Sequence, residues 1–135
     1  MGQVQNRAAR DLQNGTILWA SDTIKARLSH TSESINKDTT VMTGLGVAAT
    51  DVTLGSKTFT EDTANDRIVY DCADWTFTGV TAAAEYDKIL VFKFVTNDAG
   101  STPMAVVSLA SPITPGSTID IVVTVSPIGL FYTQQ

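Results

Sequence analysis

The chain has 135 residues, of which 43% are hydrophobic and 17% charged, and its formal net charge is −5. This length suffices for one hydrophobic core, so we expect residues 1–135 to form a single domain. The acidic balance argues against nucleic-acid binding through a basic face, and every apolar run is too short for a transmembrane helix. We therefore expect neither nucleic acid nor a membrane as a partner.

The N-terminal residues 1–14 are predicted to form a helical segment or arm. Residues 3–14 are the only plausible helix, because Val4, Ala8 and Leu12 recur at a spacing of four and Asn14-Gly15 is a natural stop. A helix of a dozen residues is marginal alone, so it must dock on the body or become ordered on binding. Arg7 and Arg10 give it local positive charge, which fits either a solvated face or an arm that touches an acidic partner.

Residues 22–29 are predicted to form a half-buried strand. Ile24, Ala26 and Leu28 alternate with Lys25 and Arg27, which is typical of one buried face and one face in water.

The most strongly apolar stretch, residues 89–95, is predicted to be a central strand buried on both faces. It is rich in Val, Ile and Phe and too short for a buried helix. Leu90, Phe92 and Phe94 share the purer apolar face, and we expect that face to point into the core. The polar connection that follows favours an antiparallel hairpin with the next strand, residues 103–110.

Short strands alternate with turn signals along the rest of the chain. The chain contains 20 Thr and 10 Ser, a balance typical of β proteins. Besides the strands above, we predict strands at 16–19, 51–60 with a bulge at Gly55, 67–72, 74–80, 118–125 and 128–133, and a long loop at 29–43. The resulting fold class is all-β: an antiparallel β-sandwich, jelly-roll-like, with a short N-terminal helix or arm. Residues 94–135 contain no Lys or Arg, which suits a sheet or a subunit interface.

No catalytic constellation is present, so we expect neither an enzyme nor a cofactor. The single cysteine, Cys72, excludes an intramolecular disulfide and a zinc cluster and is predicted to be a buried, inert thiol. A group of carboxylates allows a weak calcium-site hypothesis, although the spacing of an EF-hand is missing. Turn capping and protection of strand edges explain the same residues better. The calcium candidates are Asp62, Asp66, Asp71 and Asp74.

A sugar-binding β-sandwich is a further alternative from another class of function. Trp19, Trp75 and Tyr86 could stack on a carbohydrate, although they also fit positions inside strands and the core.

Several phrases of the chain form a familiar ordered set. They read D-L-Q-N-G, S-D-T-I-K-A-R-L, T-L-G-S-K-T-F-T-E-D, D-C-A-D-W-T-F-T-G-V, A-E-Y-D-K-I-L-V-F-K, S-P-I-T-P-G-S-T-I-D-I and G-L-F-Y-T. This set resembles small virion structural proteins of tailed bacteriophages, including capsid decoration or cement proteins. The resemblance spans nearly the whole chain, and residues 32–49 depart from it in length and composition.

The resemblance implies a protein made in the host cytoplasm that ends on the outer capsid surface of the virion. There it would bind the major capsid protein of an HK97-type shell, often as a homotrimer, and stabilise that shell. A tail, connector or head-fibre role remains the alternative within the same particle. We expect the N-terminal segment, through Val4, Arg7, Arg10 and Leu12, and apolar strand edges to make the capsid or subunit contacts. Deletion of residues 1–14 should then abolish shell binding without unfolding the sandwich.

Overall fold

The computed structural model describes residues 2–82 and 85–134, and in them the regular structure is mostly β-strand. All pairings between the strands are antiparallel. The elements in chain order are β1 Gln3–Val4, α1 Asn6–Gln13, β2 Ile24–His30, a 3-10 turn Ala48–Thr50, β3 Val52–Thr53, β4 Thr58–Asp62, β5 Arg67–Asp71, β6 Trp75–Val80, β7 Tyr86–Val95, β8 Asn97–Ile113, β9 Ile119–Val123 and β10 Phe131–Gln134. The predicted all-β, antiparallel, sandwich-like fold with a short N-terminal helix is confirmed.

The strands form three sheets that enclose one main core. The largest has the order β1-β8-β7-β2-β3, a second has the order β10-β5-β4, and β6 pairs with β9 alone. Side chains from all three sheets meet in the main core, which includes Ile24, Trp75, Phe77 and Phe131. A two-stranded sheet is marginal alone, so β6 and β9 depend on this packing.

Strand β7 is the predicted central strand, with β2 on one side and β8 on the other. The hairpin between β7 and β8 is confirmed. Both faces are buried at residues 89–92, as predicted, but the purer apolar face does not point into the main core. Ile89 and Val91 enter the main core, whereas Leu90 and Phe92 form a separate small cluster with Met42. The reason is that part of the chain between β2 and β3, predicted as a plain loop, folds over this second face and buries Met42 there.

The N-terminal helix is shorter than predicted and is docked on the body. Gln5 has extended backbone angles (φ −73°, ψ 143°), and its N–H donates to the carbonyl of Met104 at 2.8 Å. The helix therefore begins at Asn6, and Val4 belongs to β1, paired with Ala105. The predicted stop is confirmed, since the helix ends at Gln13.

Two predicted strands differ in the structure. Residues 16–19 do not form a strand, because the carboxylate of Asp22 accepts the N–H of Leu18 at 2.8 Å and closes a local turn. Residues 51–60 divide into β3 and β4 rather than one bulged strand. Ser56 between them has a positive φ of 49°, which ends the extended backbone.

Candidate functional site

The N-terminal contact candidates do not share one exposed face. Val4 and Leu12 are partly buried and pack against the main core. Arg7 and Arg10 remain at the surface, where both pair with the buried carboxylate of Asp11, at 3.5 Å and 2.6 Å. Because Asp11 partly neutralises the two guanidinium groups, the helix presents less free positive charge than its sequence suggests. Residue 1 lies outside the described residues.

The calcium candidates are each engaged in separate local interactions. Asp62 accepts hydrogen bonds from Asn65 and Arg67, at 2.8 Å each, and these bonds hold the pKa of its carboxyl below the usual range. The other three are distributed along neighbouring segments: Asp66 has a φ of 49° in the β4–β5 turn, Asp71 accepts the N–H of Cys72, and Asp74 accepts the N–H of Val125. Within residues 2–82 and 85–134, no three His, Cys, Asp or Glu side chains are grouped so that they could hold a metal ion.

Cys72 is buried, as predicted. Burial, together with the negative charges of Asp71 and Asp74, raises the pKa of its thiol to about 12. Since the thiolate is the reactive form, this side chain is a poor nucleophile in the folded protein.

The aromatic residues considered for sugar stacking are all buried. Trp19 lies edge-on to both Tyr70 and Phe131, with ring centroids 5.7 Å and 5.3 Å apart. Its indole N–H donates to the carbonyl of Thr58 at 2.8 Å. Trp19, Trp75 and Tyr86 therefore serve core packing, and none offers a free ring face to a sugar.

A buried arginine is the main feature that the sequence did not predict. Arg27, expected in water, has a side chain only 2% exposed. Its guanidinium donates to both carboxylate oxygens of Asp51, at 2.6 and 2.9 Å, and to both of Asp98, at 3.0 and 2.9 Å. These partners lie 24 and 71 residues away along the chain, so no local pattern reveals them. We call Arg27, Asp51 and Asp98 the Arg27 cluster. It connects two segments to β2, namely the residue just before β3 and the start of β8.

Two apolar depressions mark the surface. The first, which we call the aromatic pocket, has a volume of about 300 Å³ and includes the exposed side chains of Leu18 and Phe59. Its remaining wall is formed by Leu12, Ile17, Trp19, Ala20, Ser21, Ile68 and Tyr70.

The second depression, the β8–β9 groove, is larger, at about 520 Å³. None of its wall residues is charged. They are Trp75, Ile89, Val107–Ser111, Ile113, Ile121–Ser126, Gly129 and Leu130. All but the first two belong to residues 94–135, the part of the chain that lacks Lys and Arg.

No protein-family model, curated protein or solved structure matches this chain. Among the helices that the structure describes, none is long and apolar enough to cross a bilayer.

Proposed function

We propose that this chain is a structural virion protein of a tailed bacteriophage that decorates the capsid. In this role it binds the major capsid protein on the outside of an HK97-type shell, associates with itself as a homotrimer, and stabilises the shell. The virion part of the proposal is supported by the ordered sequence resemblance, and the binding part by the surface.

The observation that carries the binding role is the β8–β9 groove. Charged residues make up 17% of the chain, yet none of the residues that line this groove is charged. Val122 in its wall is 71% exposed. A partly exposed groove with no charged residue in its wall is suited to contact with another protein, since charged residues are depleted at the cores of protein interfaces.

Stabilisation needs no catalytic group. A protein that binds the assembled shell and not its free subunits shifts the equilibrium towards assembly by mass action. If each copy or trimer bridges several capsid subunits, modest contacts add through their high effective concentration. The antiparallel body is suited to bridging, since all three sheets pack on one main core.

Purified shells that lack the protein provide the test. We expect saturable binding of the purified chain to these shells and an increase in the temperature at which they disassemble, followed by light scattering. Disassembled capsid subunits serve as the control and should not bind. A shell whose disassembly temperature is unchanged at saturating protein, or that does not bind the protein, would contradict the decoration role.

A further inference from the structure

The segment between β2 and β3, residues 31–47, lies over the second face of β7 without belonging to a sheet. The structure describes all of these residues and assigns none of them to a helix or strand. Connections longer than about 12–15 residues without regular structure are uncommon in compact domains and often have a function of their own. We call residues 31–47 the strap.

The middle of the strap is anchored to the body by one buried side chain. Met42 is 0% exposed and packs with Leu90 and Phe92 of β7, whereas the other residues of the strap are exposed or only partly buried. This small cluster is separate from the main core. Segments with few buried apolar contacts open at a lower free energy than core elements do. The strap is therefore the part of the fold that can leave the body without disturbing the main core.

The two ends of the strap are held together at β2 by Glu33. Its carboxylate accepts the N–H of Gly46 at 2.9 and 3.0 Å and the hydroxyl of Ser29. Ser29 is itself fully buried in β2. Next to Gly46, the N–H of Val47 donates to the carbonyl of Leu28 at 2.9 Å. These contacts form a base from which the middle of the strap extends over β7.

The middle of the strap meets the rest of the body through a few polar contacts. The side-chain amide of Asn6 donates to Asp38 at 2.8 Å, in an exposed contact. The N–H of Met42 points to the carbonyls of Asp98 and Ser101, at 3.1 and 3.2 Å. Because water can take the place of either partner when the strap moves away, such contacts stabilise its closed position only modestly.

The Arg27 cluster does not oppose an opening of the strap. Asp51 and Asp98 lie outside residues 31–47, so the guanidinium of Arg27 keeps both carboxylates when the strap moves. Only its hydrogen bond to the carbonyl of Leu45, at 2.9 Å, involves the strap. The charge of Arg27 stays compensated, and the large cost of an unpaired buried charge does not arise.

We propose that the strap is a cover, hinged at its Glu33 base, that opens while the main core stays folded. In the closed state it keeps Leu90 and Phe92 out of water, and in the open state it exposes this second apolar face of β7. The fold then has two states that differ in the position of one segment. This inference goes beyond the proposed function and does not depend on it, since it concerns the isolated chain.

Two cysteine variants at neighbouring positions of β7 test the opening. Leu90→Cys places a thiol under the strap and Ile89→Cys places one in the main core, and both positions are 1% exposed. The native Cys72 is buried, and the unmodified chain measures its background. We expect a thiol reagent to modify Leu90→Cys at least tenfold faster than Ile89→Cys. The first thiol reacts through opening of the strap, and the second only through unfolding of the main core.

A further substitution in the main core separates local opening from unfolding. Val80 is 1% exposed and belongs to that core, so Val80→Ala destabilises the closed and open states alike relative to the unfolded chain. Added to the two cysteine variants, it should speed the modification of Ile89→Cys at least fivefold and leave that of Leu90→Cys within twofold. Equal labelling rates at the two positions, or an equal acceleration of both, would show that the strap opens only with the whole fold and would overturn the proposal.

Hydrogen exchange on the unmodified chain gives the same test without any substitution. The backbone amide of Met42 should exchange at least a hundredfold faster than the amides of residues 89–92. Its exchange rate should also rise little with urea below the unfolding transition, because a local opening exposes little surface. The same urea dependence for both sets of amides would contradict an independent strap.

Discussion

Replacing Arg27 by methionine tests how the structure holds its longest irregular segment in place. Methionine retains much of the side-chain length but removes every hydrogen bond to Asp51 and Asp98. The carbonyl of Leu45, which accepts from the same guanidinium at 2.9 Å, also loses its donor. In the variant, the carboxylates of Asp51 and Asp98 would face each other without the positive charge that they share in the unmodified chain.

The expected cost follows from the burial of the three side chains. Removing one partner of a buried ion pair costs about 3–5 kcal/mol, because the remaining charge is left uncompensated. The side chains of Asp51 and Asp98 are 19% and 35% exposed, so water can solvate them in part, and we expect the lower end, about 3 kcal/mol. For a chain of this length that lowers the melting temperature by about 10 °C.

Urea unfolding followed by tryptophan fluorescence measures this loss, since both tryptophans are buried. Lys25→Met on the same strand is the control, because Lys25 lies over the ring of Phe94 at 3.7 Å and pairs with no carboxylate among the described residues. We expect it to cost less than about 1 kcal/mol. Adding Asp51→Asn and Asp98→Asn to Arg27→Met should recover part of the lost stability, because the two unpaired like charges are then removed.

The same cluster predicts a dependence on pH. The hydrogen bonds from Arg27 hold the pKa of Asp98 below its usual range. The stability that this carboxylate contributes is therefore present above its pKa in the unfolded chain, about 4, and is lost as the pH falls through the lower pKa of the folded state. Between pH 7 and pH 3, Arg27→Met should therefore lose less stability than the unmodified chain. A loss under about 1 kcal/mol at pH 7, or an unchanged acid dependence, would refute the role assigned to this cluster.

Three further outcomes test other parts of the fold. The Cys72 thiol, whose pKa is raised to about 12, should resist a thiol reagent at pH 8 in the folded protein and react at once in urea; rapid native labelling would contradict its burial. Gly129→Ala should destabilise the fold by more than about 2 kcal/mol, because Gly129 has a φ of +94° and the added methyl would overlap Val69. The control Gly15→Ala, with a φ of +78° and open space around it, should cost only about 1 kcal/mol. Equal costs would show that the overlap is relieved. Asp11→Ala should lower the stability by about 1–2 kcal/mol, because the buried carboxylate and its contacts with two arginines are lost. Thermal melting measures this loss. An unchanged melting temperature would count against that contribution.

The elements that sequence predicts well are those whose signal is local. Strand β7 combines β-branched and aromatic residues over a short run, and its hairpin with β8 follows from the short connection between them. The helix stop at Asn14-Gly15 is similarly local. These features depend on residues within a few positions, and the structure confirms them.

The features that sequence missed depend on remote partners. Arg27 alternates with apolar residues as a solvated side chain would, and only the return of the chain at Asp51 and Asp98 buries it. The helix begins at Asn6, later than predicted, because the N–H of Gln5 donates to the carbonyl of Met104, about a hundred residues away. For the same reason the N-terminal segment is docked rather than a free arm, so deleting residues 1–14 would remove parts of the fold as well as any contact surface.

The candidate binding surface was predictable only in composition. The absence of Lys and Arg after residue 93 suits a sheet or an interface, but the β8–β9 groove depends on how β9, which pairs with β6, is placed relative to β8. That arrangement of sheets cannot be deduced from strand positions alone, since strand order is a long-range property.

The copy number of this chain in purified virus particles tests the decoration role most directly. Quantitative mass spectrometry against the major capsid protein measures it, with peptides of both proteins as internal standards. We expect a ratio near one to one, because a decoration protein coats the whole shell. A handful of copies per particle would assign it instead to the tail, connector or a head fibre, and absence from the particle would contradict the virion role altogether.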